Sequence, residues 1–311
     1  MKVVMEAGRD DLARVYIAET AEGRAIEFVE SLQPPIPREE KWVLIVSTLY
    51  GCPIGCRFCD AGGNYRGPLS ADEIFFQIEY LLNRRYPDGA IPVKKLKIQF
   101  ARMGEPAFNR HVIEVLDHLP ERYAIPGLLP SLSTVAPEGR DDFFEALLEV
   151  KRRHYAGRFQ LQFSLHSTDE AARSRLIPAR TWSFAKMAEY GESFYEKGDR
   201  KIVLNFALAD GIPFDPDRLL AHFPPNIFMV KVTPVNPTYR AAENRITSSV
   251  LRHRTGDGLL DGLRTAGYDA LLSIGEWEEN RIGSNCGQYL FAHRRREEGM
   301  IDGYTYDLRA I

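Results

Sequence analysis

The hydrophobic and polar positions alternate in two registers along most of this chain. Trp42 to Thr48 is an apolar, β-branched run that reads as a strand. A helix-like period follows: Ser70 and Glu73 form a capping box, and Ile74, Phe75, Ile78, Leu81 and Leu82 then fall on one helical face. A strand is expected at about 93–101, and Val112, Ile113, Val115 and Leu116 mark the next helix. Strand-like 128–133 precedes a helix carrying Phe143, Phe144, Leu147 and Leu148. Further strands read at 159–164, 202–208 and 228–234, with helical patterns between them.

This βα alternation predicts parallel strands joined by right-handed crossovers. The fold class is therefore α/β, a partial (β/α)6 barrel whose functional groups gather at the C-terminal strand ends. Ahead of it, Arg14 to Val29 reads as a β-hairpin turning at Ala21, Glu22 and Gly23. Pro34, Pro35 and Pro37 mark a boundary, which divides the chain into a hairpin extension at 1–37, a barrel core at 38–290 and a C-terminal extension at 291–311.

Composition narrows the class. At 311 residues and 44% hydrophobic the chain buries a full core. The sequence contains no apolar run of about 18 residues and no signal-peptide pattern, so a cytoplasmic protein without a membrane partner is expected. The net charge of −3 does not suggest generic nucleic-acid affinity, which rests on lysine and arginine at phosphates. The densest basic runs, Lys151 to His154 and His293 to Arg296, have acidic neighbours and read as solvated helix faces.

Candidate chemistry lies in one loop after the first barrel strand. Cys52, Cys56 and Cys59 stand three and then two residues apart, and the chain has only one other cysteine, Cys286. Three soft thiolates suit a [4Fe–4S] cluster, which normally takes four, so one iron stays open to a ligand that is not protein. A zinc knuckle completed by Cys286 is the alternative, although structural zinc sites usually pair two ligand clusters.

Polar groups recur at the other strand ends: Met103 to Pro106, Ser133 and Thr134, Ser164 to His166, Pro234 to Pro237, and the late segment Ser284 to Gln288. Together with the cysteine spacing, in this order, they resemble the RlmN/Cfr-like family of radical S-adenosylmethionine (SAM) methyltransferases, over about 14–288. That family methylates adenine carbons in ribosomal and transfer RNA. The resemblance implies a radical SAM barrel in which Cys52, Cys56 and Cys59 hold the cluster. It places Gly104 and Glu105 at the methionine end of SAM, with Ser133, Ser164, Leu165, His166 and Asn236 completing the pocket. It makes Cys286 the thiol that receives a methyl group from one SAM, a second SAM supplying the 5′-deoxyadenosyl radical. An electron donor such as flavodoxin or ferredoxin is implied as a partner.

Two positions depart from the family. Its second catalytic cysteine, seven residues before the first cluster cysteine, is Ile45 here, and isoleucine moves no proton. Glu27 resembles a family carboxylate assigned as a proton acceptor, separated from the cluster by an insertion around Gln33 to Pro35. Members acting on ribosomal RNA carry a helical accessory domain before the hairpin, where this sequence has Met1 to Ala13. The expected activity is methyl or methylene transfer through Cys286 to a small molecule, a protein or a compact RNA. Hydrogen abstraction without methyl transfer, and a non-catalytic iron–sulfur or zinc module, are the other readings.

Overall fold

The computed structural model describes residues 1–249, 257–285, 290 and 303–311. One sheet of eleven strands organises them. In chain order these are β1 (Lys2–Arg9), β2 (Ala13–Glu19), β3 (Ala25–Ser31), β4 (Trp42–Val46), β5 (Leu96–Phe100), β6 (Leu128–Thr134), β7 (Gln160–Ser164), β8 (Ile202–Leu208), β9 (Phe228–Pro234), β10 (Ala270–Leu272) and β11 (Arg309–Ala310). From β4 to β10 each strand pairs in parallel with the next. The six expected barrel strands are thus joined by a short seventh.

The hairpin is part of a larger antiparallel flank. β1 pairs with β2, β2 with β3, and β3 with β4 through Val29 opposite Ile45. β11 lies on the outer side of β1, with Met5 opposite Ala310. β10 and β11 end the strand order, and no pairing between them closes the barrel among the described residues.

Nine α-helices are described: α1 (Ala71–Arg85), α2 (His111–Arg122), α3 (Asp141–His154), α4 (Glu170–Leu176), α5 (Phe184–Phe194), α6 (Pro216–Leu220), α7 (Tyr239–Glu243), α8 (Asp257–Thr265) and α9 (Trp277–Ile282). In α1 the capping box forms as the sequence predicts: Ser70 Oγ accepts the Glu73 N–H while the Glu73 carboxylate accepts the Ser70 N–H. Its buried face, Ile74, Phe75, Ile78, Leu81 and Leu82, packs into the main apolar core. Burying such side chains contributes roughly 1.5–3 kcal/mol each.

Strand alternation explains why the lumen is polar. In β5, Leu96, Ile98 and Phe100 are wholly buried in the helix-side core, so Lys97 and Gln99 face the other way. On that same side Gln162 donates to both Ser131 Oγ (3.0 Å) and Ser133 Oγ (3.2 Å). A lining of amides and hydroxyls offers hydrogen-bond donors and acceptors to a ligand, which an apolar layered interior does not. No helix of the described residues is long and apolar enough to cross a membrane.

Candidate active site

Parallel pairing carries the ends of β4 to β9 to one rim, and the loop holding Cys52, Cys56 and Cys59 leaves β4 there. Glycines shape it. Gly51 and Gly55 have φ of +74° and +68°, and a Cβ on Gly51 would stand 2.6 Å from the Gly63 carbonyl oxygen. The loop is closed by Gly63 N–H to Cys52 O (2.9 Å) and Cys59 N–H to Cys56 O (3.2 Å). The three cysteines are half-buried, and they border a small apolar cluster including Ile54, Phe58, Val135, Ile177 and Val235. That cluster draws residues from the rim ends of several strands.

Around the cysteines the groups are these. Burial pushes the Cys52 thiol up to about 11, against the backbone N–H groups of Ile54, Glu105 and Gly55, which favour its thiolate. Burial raises Cys56 further, with Cys59, Cys52 and Glu105 adding to the rise and Arg173 opposing it. Soft thiols presented together, with backbone N–H groups that favour thiolate, fit an iron–sulfur cluster. No three His, Cys, Asp or Glu side chains among the described residues are gathered closely enough to hold a single metal ion. Cys286, which the zinc alternative requires, lies outside the described residues.

Gly104 and Glu105 follow β5 and meet this loop directly. Gly104 has φ +99°, and a Cβ there would lie 2.4 Å from Leu49 Cγ, so only glycine lets the two strand ends approach. Glu105 is buried, and its carboxylate braces the rim. It accepts from Ala107 N–H (3.1 Å), Val135 N–H (2.9 Å) and the Thr134 hydroxyl. Desolvation pushes it up to about 7 against those donors. A carboxylate has about four lone-pair sites, so one remains for a ligand.

The other expected residues sit on neighbouring strands. Ser133 is on β6 and Ser164 ends β7. Leu165 is wholly buried in the main core, and its N–H donates to Asn205 O at 3.0 Å. His166 adopts φ +63° and its Nδ1 accepts the Ala207 N–H at 2.9 Å, leaving Nε2 as donor. Its ring packs edge-on to Phe58 of the cysteine loop, centroids 4.9 Å apart. Asn236 is half-buried just past β9. Ile45 lies in β4 on the lumen side, opposite Gln99.

Glu27 is in β3 and has no exposed surface. Its Oε1 is 2.6 Å from Arg102 Nη2, and burial raises its carboxyl despite that ion pair.

Several groups at the rim were not anticipated from sequence. Arg173 on α4 is buried and donates to Val135 O (2.7 Å) and Ser164 O (3.3 Å), tying β6 to β7 beside Cys56. Asp60, next to Cys59, accepts the Tyr239 and Arg240 N–H groups at the start of α7 and the Tyr304 hydroxyl. Thr238 Oγ1 donates to Phe58 O at 2.8 Å. An acidic residue directly after the third cysteine was the one local signal.

A chain fold of this kind has solved counterparts. A radical SAM methyltransferase from Sphaerobacter thermophilus superposes with a TM-score of 0.70 at 22% identity, covering 92% of this chain and 80% of that one. No protein-family profile matches the chain. A protein of Ectopseudomonas mendocina named as a probable RNA methyltransferase is 30% identical over 292 residues, 90% of this chain and 74% of that protein. The chain belongs to the RlmN-like radical SAM methyltransferase family. The dual-specificity RNA methyltransferase RlmN of Wolinella succinogenes is 28% identical over 307 residues, 92% of this chain and 83% of its own length. This member of the family is accordingly an enzyme, a methyltransferase of the radical SAM type.

Proposed function

We propose that this RlmN-like enzyme methylates RNA, with Cys52, Cys56 and Cys59 holding a [4Fe–4S] cluster and Cys286 carrying the transferred carbon. The observation that carries the reading is the close junction of the cysteine loop with the Gly104–Glu105 turn, where Thr48 and Leu49 N–H both donate to Met103 O and a Cβ on Gly104 would lie 2.4 Å from Leu49 Cγ. The RNA follows from the names of both relatives.

When bound, the cluster supplies an electron, and SAM supplies a methyl group and the 5′-deoxyadenosyl radical. The chain's residues do the rest. Glu105 offers its remaining lone pair to the SAM ammonium, as a charge-assisted bond in a dry site. Ser133, Ser164 and Asn236 offer hydroxyl and amide groups, His166 donates from Nε2, and Leu165 contributes backbone only. Cys286, as thiolate, attacks the SAM methyl carbon. The new bond is Cys286 Sγ to CH3, the bond broken is methyl to sulfonium, S-adenosylhomocysteine leaves, and the thiol proton passes to solvent. A free thiol of pKa near 8.5 is only a few per cent thiolate at pH 7, so a neighbouring positive charge such as the sulfonium favours this step. Ile45 contributes no proton transfer, so release of methylated RNA depends on another group. Flavodoxin or ferredoxin is the expected electron donor.

Anaerobically reconstituted protein is incubated with SAM, a chemical reductant and adenine-containing RNA. Release of 5′-deoxyadenosine, one methyl group on the Cys286 peptide and a methylated adenine are expected. Cys286→Ala should still release 5′-deoxyadenosine but move no carbon. A wild type that releases 5′-deoxyadenosine with Cys286 unmethylated would replace the reading with simple hydrogen abstraction, and a protein holding one zinc would remove it.

A further inference from the structure

The Glu27–Arg102 ion pair holds more than itself. Arg102 ends the segment after β5, two residues before Gly104, and its side chain is 2% exposed. Its Nη2 donates to Gly283 O at 2.7 Å and its Nη1 to Ser284 O at 3.1 Å, with Asn285 O at 3.5 Å. Those carbonyls follow α9 and immediately precede Cys286. On the other side of Cys286, the Leu290 N–H donates to Glu27 Oε2 at 3.1 Å. The two partners are 75 residues apart in sequence, one on β3 and one just past β5, yet between them they hold both flanks of one short segment.

The flanks are prepared locally. Gly283 caps α9 at φ +70°, a left-handed turn that exposes the following carbonyls to the guanidinium. Ser284 N–H returns to Glu279 O at 3.0 Å, and Asn285 Nδ2 donates to Asn280 Oδ1 at 3.3 Å. A planar guanidinium carries five N–H donors in a rigid fork, and this one meets a carboxylate and successive carbonyls together. Both Glu27 oxygens face protein groups, and the residue has no exposed surface from which to reach a substrate.

We propose that Glu27 and Arg102 form a clamp on the residues either side of Cys286, 283–285 and 290, with Glu27 a positioning residue rather than a proton acceptor for the substrate. The proposal rests on Cys286 as methyl carrier for its purpose, but not for its geometry. A pair that fixes the flanks to the β5 end also fixes them to the Gly104–Glu105 turn beside the cluster loop. Methyl loading of Cys286 then depends on the clamp before any RNA arrives, whereas a base acting on RNA has no part in that step.

The test uses the reconstituted holoenzyme and two variants. Arg102→Lys keeps the charge beside Glu27 but lacks the fork. Glu27→Gln with Arg102→Met removes both charges together, so no buried ion is stranded if the single change destabilises the fold. The first readout is hydrogen exchange of the peptide spanning 283–290, and the second is methyl on the Cys286 peptide after SAM exposure without RNA. Iron per chain serves as the control for folding. Both variants should exchange that peptide at least about tenfold faster and load methyl at least about tenfold more slowly. Wild-type exchange in both variants overturns the clamp. Wild-type loading with loss of RNA methylation alone in the double variant also overturns it, and restores Glu27 as an acceptor. A wild-type protein that never gains methyl on Cys286 defeats the carrier reading, and the exchange rates then decide the clamp by themselves.

Discussion

His166 shows how one side chain joins backbone geometry to site chemistry. It follows β7 in a left-handed conformation, where its Nδ1 takes the Ala207 N–H from the end of β8. Burial, with Arg173 nearby, lowers its pKa from 6.5 to about 3, so the ring is a neutral hydrogen-bond donor at ordinary pH. The unfolded chain therefore binds a proton below pH 6.5 that the folded chain refuses. Stability from this residue is complete above pH 6.5 and is lost as pH falls toward about 3, at up to about 1.4 kcal/mol per unit. His166→Asn places Oδ1 where Nδ1 stands and tolerates the left-handed backbone. Urea unfolding of the metal-free protein at pH 6.5 and about 5 should show the wild type losing up to about 2 kcal/mol more than the variant. Equal losses would mean that the ring is not held neutral.

At the scale of elements, the site is a set of strand ends held at touching distance. Gly104 decides how close β4 and β5 come, since Thr48 and Leu49 both donate to Met103 O across that junction, at 2.8 and 3.1 Å. Gly104→Ala would press a Cβ into Leu49 and impose a strained backbone at a cost of about 1–3 kcal/mol. The strands are paired along their lengths, so the sheet should persist while the rim opens. Calorimetric titration of SAM into anaerobic holoprotein should give roughly tenfold or weaker affinity, the equivalent of about 1.4 kcal/mol. Wild-type affinity would place the turn outside the SAM site.

These elements differ in how far sequence revealed them. Strands β4 to β9 and α1 to α3 carry unbroken apolar runs or one-sided faces, so their existence was legible. β10 has three residues and β11 two, too short for any period, and β1 alternates only weakly with polar Lys2, Glu6 and Arg9. The cysteine loop and the Gly104–Glu105 turn were legible because their spacing is local. Arg102, Arg173 and Tyr304 were not, because each acts through partners that only the sheet brings near. Glu27 is singled out by resemblance, but its partner Arg102 lies past the end of β5 and no local pattern points to it.

Across the whole molecule, the C-terminal residues connect the rim to the far edge of the sheet. Tyr304 stacks on Tyr239 with centroids 5.4 Å apart, and its hydroxyl donates to Asp60 beside Cys59. Thr305 N–H bonds Arg281 O at 2.9 Å and Tyr306 donates to Glu278 at 2.6 Å, both on α9. β11 then pairs with β1. One strand of chain thus braces the cysteine loop, α7, α9 and the antiparallel flank together. Asp60 is 3% exposed and burial raises its carboxyl, so each donor it keeps matters. A hydrogen bond to a charged group contributes about 1.5–3 kcal/mol. Tyr304→Phe removes that bond but leaves the ring stack, whereas deletion of 303–311 removes the brace entirely. Both proteins should take up iron on anaerobic reconstitution. On exposure to a chelator in air, iron loss should be several-fold faster for Tyr304→Phe and faster again for the deletion, because the loop carrying Cys56 and Cys59 opens more often. Wild-type iron loss from the deletion would show that the loop is held by α7 and Thr238 alone, and that the C-terminal residues serve only the sheet edge.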